Sequence, residues 1–179
     1  MPASARYSRP AIALHWITLL LIVVVYAMME LKGLFPKDSP EQGFMKMIHA
    51  SCGLTILALT VVRLATRLAR RSPAITPAPA AWEQFAARLM HAALYAMLLA
   101  LPLLAWTGIN AFGGTVKVWG IALPALIGVD KALGSTILDT HRLIANTGYF
   151  LIGLHALAAL KHHYIRRDDT LRRMLPLRA

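Results

Sequence analysis

Apolar residues gather into four runs, 11–31, 45–67, 85–112 and 141–161, and nine of the ten prolines lie outside them. A hydrocarbon core of about 30 Å is crossed by about 20 helical residues, so each run is long enough to span a membrane with some tilt. A fifth apolar stretch, 116–129, carries Lys117, Gly120, Pro124 and Gly128. It is too short to span and predicts an interfacial or re-entrant segment. Pro36 and Pro40 mark a short turn between the first two runs, Pro102 predicts a kink in the third helix, and the proline-rich stretch 72–80 predicts an extended linker. The pattern is that of an all-α, integral membrane four-helix bundle in which residues 1–179 form one domain.

Composition strengthens this reading. The chain is 58% hydrophobic and 15% charged, with a mean hydropathy of +0.56, beyond the range of ordinary soluble domains. A net charge of +11 would suit a nucleic-acid binder, but the positive residues are placed otherwise. Thirteen of the 19 Lys and Arg lie before the first run, around the middle connection (Arg63, Arg67, Arg70, Arg71, Arg88) and after the fourth run, accompanied by only three acids. The positive-inside rule then puts both termini and the middle connection in the cytoplasm, and this placement of charge excludes nucleic acid as the partner. Arg6 and Arg9 before an apolar run resemble a signal peptide, yet the run is too long for an h-region and lacks a small-residue cleavage site, so it is read as a retained helix. The single cysteine, Cys52, can form no internal disulfide and is read as a small packing residue. Without a Cys-x-x-Cys-His motif, covalent haem attachment is excluded. Trp16, Trp82, Trp106 and Trp119 fall where interfacial anchors are expected.

Five of seven histidines, His15, His49, His91, His141 and His155, lie within or at the ends of the apolar runs. Ionisable side chains inside a bilayer are costly enough that function is their default explanation. His141 and His155 are 14 residues apart on one helix, which leaves them within roughly 40° in azimuth and about 21 Å apart along the axis. They present imidazoles from one face at two depths. The first helix runs outward and the second inward, so His15 matches the depth of His155, and His49 that of His141. Each pair could hold a haem iron between two imidazoles, a b-type arrangement. Gly148 lies seven residues from both His141 and His155, where a missing side chain would let macrocycle edges approach, and Gly53 clears the face of His49 one turn on. Four histidines at two depths cannot converge on one tetrahedral zinc, and no nucleophile with a paired base or phosphate loop is present. His91 could compete with His15 for His155, or bond a haem propionate or a quinone; the non-ligand role is favoured. His162 and His163 follow the fourth run, where surface solvation competes with a quinone role.

The stretches 7–16, 47–53, 141–155 and 154–164 resemble the bacterial cytochrome b561 family across essentially the whole chain. The resemblance implies a bundle with two non-covalent b haems, ligated by His15 with His155 and His49 with His141, and ubiquinone as electron acceptor. The length, without an attached catalytic domain, looks most like the stand-alone members that oxidise superoxide. On that reading superoxide gives electrons at the outer face, with His162, then His91, as proton donors to quinone. The alternative is an electron-conduit anchor for a periplasm-facing dehydrogenase or hydrogenase, as in related gamma subunits. A non-redox channel or scaffold is the third class. No single donor-site residue is assigned among Lys32, Lys37, Lys46, Lys117 and Lys131.

Overall fold

The computed structural model describes residues 6–69 and 74–176. Arg70, Arg71, Ser72, Pro73 and Arg178 lie outside the described residues. Four long helices form in chain order: α1 (Arg9–Leu31), α2 (Pro40–Ala69), α3 (Ala81–Ala111) and α4 (Lys131–Lys161). Each contains a stretch apolar enough to cross a membrane. Leu20, Phe150 and Leu157 stand exposed on the outside of the bundle, as lipid-facing side chains do.

All four helices begin before their apolar runs. The largest difference is in α4, which begins at Lys131 rather than near 141. Its first turns carry polar residues that apolar periodicity does not register. They are helical because the Asp130 carboxylate accepts from the Leu133 N–H at 3.0 Å, capping the start. Gly134 then packs on Ala111 and Phe112 of α3 and its end. Helix α3 continues through Pro102, which is buried.

Tight packing occurs within the α1–α2 and α3–α4 hairpins, with lighter backbone contact between α2 and α3. Small residues allow it, as is usual where no hydrophobic drive separates helix from lipid. A Cβ on Gly108 would stand 2.6 Å from Leu138 Cδ2. Gly108→Val is therefore expected to lower the thermal midpoint of the detergent-solubilised protein, at a cost on the order of 1–3 kcal/mol from overpacking. An unchanged midpoint would show that α3 and α4 can separate freely there.

The 116–129 segment is a short hairpin, β1 (Lys117–Val118) against β2 (Ile121–Ala122), followed by irregular chain. Its two-residue turn places Trp119 at φ 49° and Gly120 at φ 89°, the pairing of positive φ values that a type I′ turn requires. A tryptophan there is strained, and the strain is offset by two bonds to α2. The Trp119 N–H donates to Ser51 Oγ and its indole N–H to Thr55 Oγ1, each at 3.1 Å. The hairpin thus folds back onto α2 within two turns of His49.

The start of α1, the α2–α3 connection and the chain after α4 meet at one end of the bundle. The Trp16 indole donates to the Met174 carbonyl at 2.6 Å, and the Thr76 N–H to Asp169 Oδ1 at 3.0 Å. Arg6 donates to the Leu175 carbonyl, and Arg173 lies over the Tyr7 ring. Buried Glu83 accepts from Lys161 Nζ at 3.1 Å and pairs with Arg166 at 3.0 Å, clamping the start of α3 to the end of α4.

Candidate functional site: two imidazole pairs

The histidines expected to match in depth lie together. His49 and His141 have ring centroids 6.3 Å apart, and His15 and His155 6.4 Å apart. Two metal–imidazole bonds of about 2.0–2.1 Å in line, with the short distance from each nitrogen to its ring centre, put centroids roughly 6.3–6.5 Å apart. Both pairs therefore stand at the separation of axial ligands sharing one metal.

The pair at the hairpin end, His49 with His141, labelled outer after the sequence expectation, is oriented for that role. His49 Nδ1 is 3.0 Å from the Val25 carbonyl and His141 Nδ1 is 2.9 Å from the Leu101 carbonyl. A carbonyl can only accept, so each ring carries its proton on Nδ1 and leaves Nε2 bare. Such backbone partners are the usual means of fixing the tautomer of a metal-binding histidine. No atom comes within 4 Å of where a Cβ on Gly53 would sit, so the face next to His49 is open.

The second pair, His15 with His155, labelled inner on the same expectation, is more crowded. Arg63 donates to His15 Nδ1 at 2.7 Å. Arginine cannot accept, so the His15 proton is on Nε2 in this arrangement, and ligation through Nε2 requires Arg63 to turn to another acceptor. A carboxylate at the cofactor's edge would supply one. The Arg63 and Arg67 guanidinium groups also lie 5.8 and 5.6 Å from the centre of the Tyr95 ring. His91 joins this cluster, with its centroid 5.5 Å from that of His155. That is closer than two axial ligands in line allow, whereas His15 stands at the ligand separation. The histidines fit two bound haem groups, the outer pair as it stands and the inner pair once Arg63 releases His15.

One face of α4 carries His141, Gly148 and His155 at seven-residue intervals, and His162 follows at the same interval just past the end of the helix. The space beside Gly148 is filled by the Tyr26 hydroxyl and Met97 Sδ. At the far end a short π-helical segment spans His162–Arg166. There His162 Nδ1 stands 2.5 Å from Asp168 Oδ2, a carboxylate that is buried and whose other oxygen accepts from the Thr170 N–H at 2.9 Å. Burial opposes the Asp168 charge, but the bonds from His162 and Thr170 outweigh it and hold the carboxyl below its usual range. His163 Nδ1 is buried with no hydrogen-bond partner among the described residues.

Arg63, Asp168 and Glu83 are the site residues that sequence reasoning missed. Arg63 carried a signal in its position, a charge within an apolar run at the depth of His15. Asp168 and Glu83 owe their roles to contacts made only when the helix ends converge.

Four spanning helices enclosing two stacked, depth-matched imidazole pairs define a membrane cytochrome of the kind that holds haem without a covalent link. The family model of prokaryotic cytochrome b561 matches residues 6–177. The chain belongs to that family, membership of which implies haem b binding. It is 43% identical over 176 residues to cytochrome b561 homolog 1 of Escherichia coli (strain K12), covering 97% of this chain and 98% of the relative. It is 38% identical over 171 residues to a probable superoxide oxidase, CybB, of Yersinia pestis, covering 96% of each. To cytochrome b562 of Cereibacter sphaeroides it is 28% identical over 179 residues, with 98% of each covered.

Proposed function

We propose that the chain is a di-haem b oxidoreductase of the bacterial inner membrane that carries electrons from superoxide at the outer face to ubiquinone at the inner face. The observation that carries this reading is the presence of two imidazole pairs at ligand separation, their α4 members 14 residues apart along that helix. The likeness to a relative named as a probable superoxide oxidase supports the donor. The positive charge concentrated at the end with both termini supports a cytoplasmic placement for that end.

Bound between these pairs, haem b supplies reversible one-electron chemistry. His49 with His141, and His15 with His155, would hold the two groups, each between a pair of imidazoles. With both imidazoles of each pair holding the group, a donor would pass its electron without being bound at the metal, which suits a small one-electron donor. Two superoxide anions are oxidised to two oxygen molecules, and one quinone takes both electrons and two protons to become quinol. The protons enter at the inner face. Ionised Asp168 holds the Nδ1–H of His162 and orients the ring, so His162 Nε2 is free to move a proton. His91, beside His155, is the second proton-carrying candidate at this end.

Mixing the purified chain with superoxide and a short-chain ubiquinone tests the reading. Rapid quinol formation without a partner is expected; haems that stay oxidised until a dehydrogenase is added would instead make the chain a conduit subunit. In a His162→Ala variant, quinone reduction is expected to fall by about 100-fold, the lower end of general acid–base contributions, with haem content unchanged. An unchanged rate would remove His162 from proton delivery. Because the Asp168 carboxyl lies below its usual range, the contact it makes is intact above that range and is lost as pH falls through the lowered value. Loosening of the chain after α4 is thus expected only in strong acid, and proteolysis of the tail across a pH series would detect it.

A further inference from the structure

The space between the two histidine pairs is filled from another helix. Gly148 is seven residues from both His141 and His155, about 10 Å along the axis from each. A Cβ there would overlap the Tyr26 hydroxyl and stand 3.0 Å from Met97 Sδ. The hydroxyl is fixed in that place by donating to the Ala145 carbonyl at 2.7 Å. Met97 is buried, so the side chain opposite Tyr26 closes the gap from α3.

Tyr26 is also fixed at its other end. The residue before it, Val25, provides the carbonyl that orients His49 in the outer pair. Side chains in a helix lean toward its N-terminus, which carries the Tyr26 ring from that level toward the midpoint beside Gly148. The ring packs against that of Tyr149, with centroids 4.4 Å apart and an interplanar angle of 56°. Tyr149 is itself held by donating to Glu30 Oε1 at 2.6 Å. One side chain thus runs from the level of the outer imidazoles to halfway to the inner pair, clamped by a carbonyl, a ring and a glycine seat.

We propose that Tyr26 is a positioning residue for electron transfer between the two centres, seated by Gly148, and that it keeps the intervening space packed with protein rather than lipid or void. The inference rests on the di-haem reading. The ring need be neither oxidised nor reduced. Electronic coupling falls more steeply across empty space than across packed atoms, so the occupied gap sets how fast one centre equilibrates with the other. Gly148 serves this arrangement by making room for the hydroxyl.

The test uses the purified full-length chain and follows inter-haem equilibration after rapid one-electron reduction, together with haem content, haem potentials and thermal midpoint. Tyr26→Leu is expected to slow equilibration at least tenfold with two haems and unchanged potentials, whereas Tyr26→Phe stays within about twofold. Gly148→Ala is expected to displace the ring, slow equilibration and lower the thermal midpoint. Adding Tyr26→Phe to Gly148→Ala removes the overlapping oxygen and is expected to restore both. Equilibration at the wild-type rate in Tyr26→Leu would overturn the proposal. So would loss of a haem from that variant, or failure of Tyr26→Phe to rescue Gly148→Ala. A wild-type chain lacking two haems would overturn the di-haem reading instead, while the rescue of the midpoint would still decide the seating of Tyr26 by Gly148.

Discussion

His141→Ala and His155→Ala are expected to abolish superoxide-driven quinone reduction in opposite ways. On the proposed di-haem reading, His141→Ala takes from the outer centre the ligand whose tautomer the Leu101 carbonyl fixes. Superoxide then finds no acceptor at the outer face, while quinol supplied from the inner face still reduces the remaining haem. Without His155 the inner centre is lost. On the same reading, superoxide would deliver a single electron to the outer centre and turnover would stop there. Turnover is expected to fall at least 100-fold in both variants, since each removes a required step rather than slowing it. Stopped-flow absorbance with each reductant in turn separates the two. Equal behaviour of the variants toward superoxide and quinol would mean that the pairs are not arranged as an outer and an inner centre.

The second large effect concerns the three histidines at the inner end. His15 and His91 both face His155, with centroid separations of 6.4 and 5.5 Å. Only the first matches two ligands in line across a metal. His15→Ala is therefore expected to reduce haem content from two per chain to one, and His91→Ala to leave two. Arg63 adds a signature of its own, because it must release His15 Nδ1 for the ring to bind through Nε2. Arg63→Gln is expected to retain both haems but to shift the inner potential downward, since a nearby positive charge favours the reduced centre. Haem content after purification, with a redox titration of each variant, reads both outcomes. One haem in His91→Ala and two in His15→Ala would exchange the inner ligands.

The four spans were legible in the chain because the bilayer admits few solutions for runs as apolar as 11–31 and 85–112. The first ten residues of α4 were not. Gly134, Ser135, Thr136 and Asp139 give no apolar stripe, and their helical state is set by the Asp130 cap and by packing on α3. The geometry of the histidine pairs was legible for a related reason. Antiparallel spans convert position in sequence into depth, and depth alone separates His15 and His155 from His49 and His141. Contacts made by polar side chains across the bundle follow no such rule. Arg63 on His15, Glu83 between Lys161 and Arg166, and Asp168 on His162 depend on where helix ends converge. Gly148 shows the boundary clearly. Its spacing marks a gap between the pairs, but nothing in that spacing names Tyr26, 122 residues earlier, as the side chain seated there.

The most direct measurement is the haem-to-polypeptide ratio of the purified wild-type chain, taken with the low-temperature spin-state spectrum. Two non-covalent b haems per chain, both low-spin with paired imidazole ligands, are predicted. One haem per chain, or a centre with an open axial position, would contradict the account.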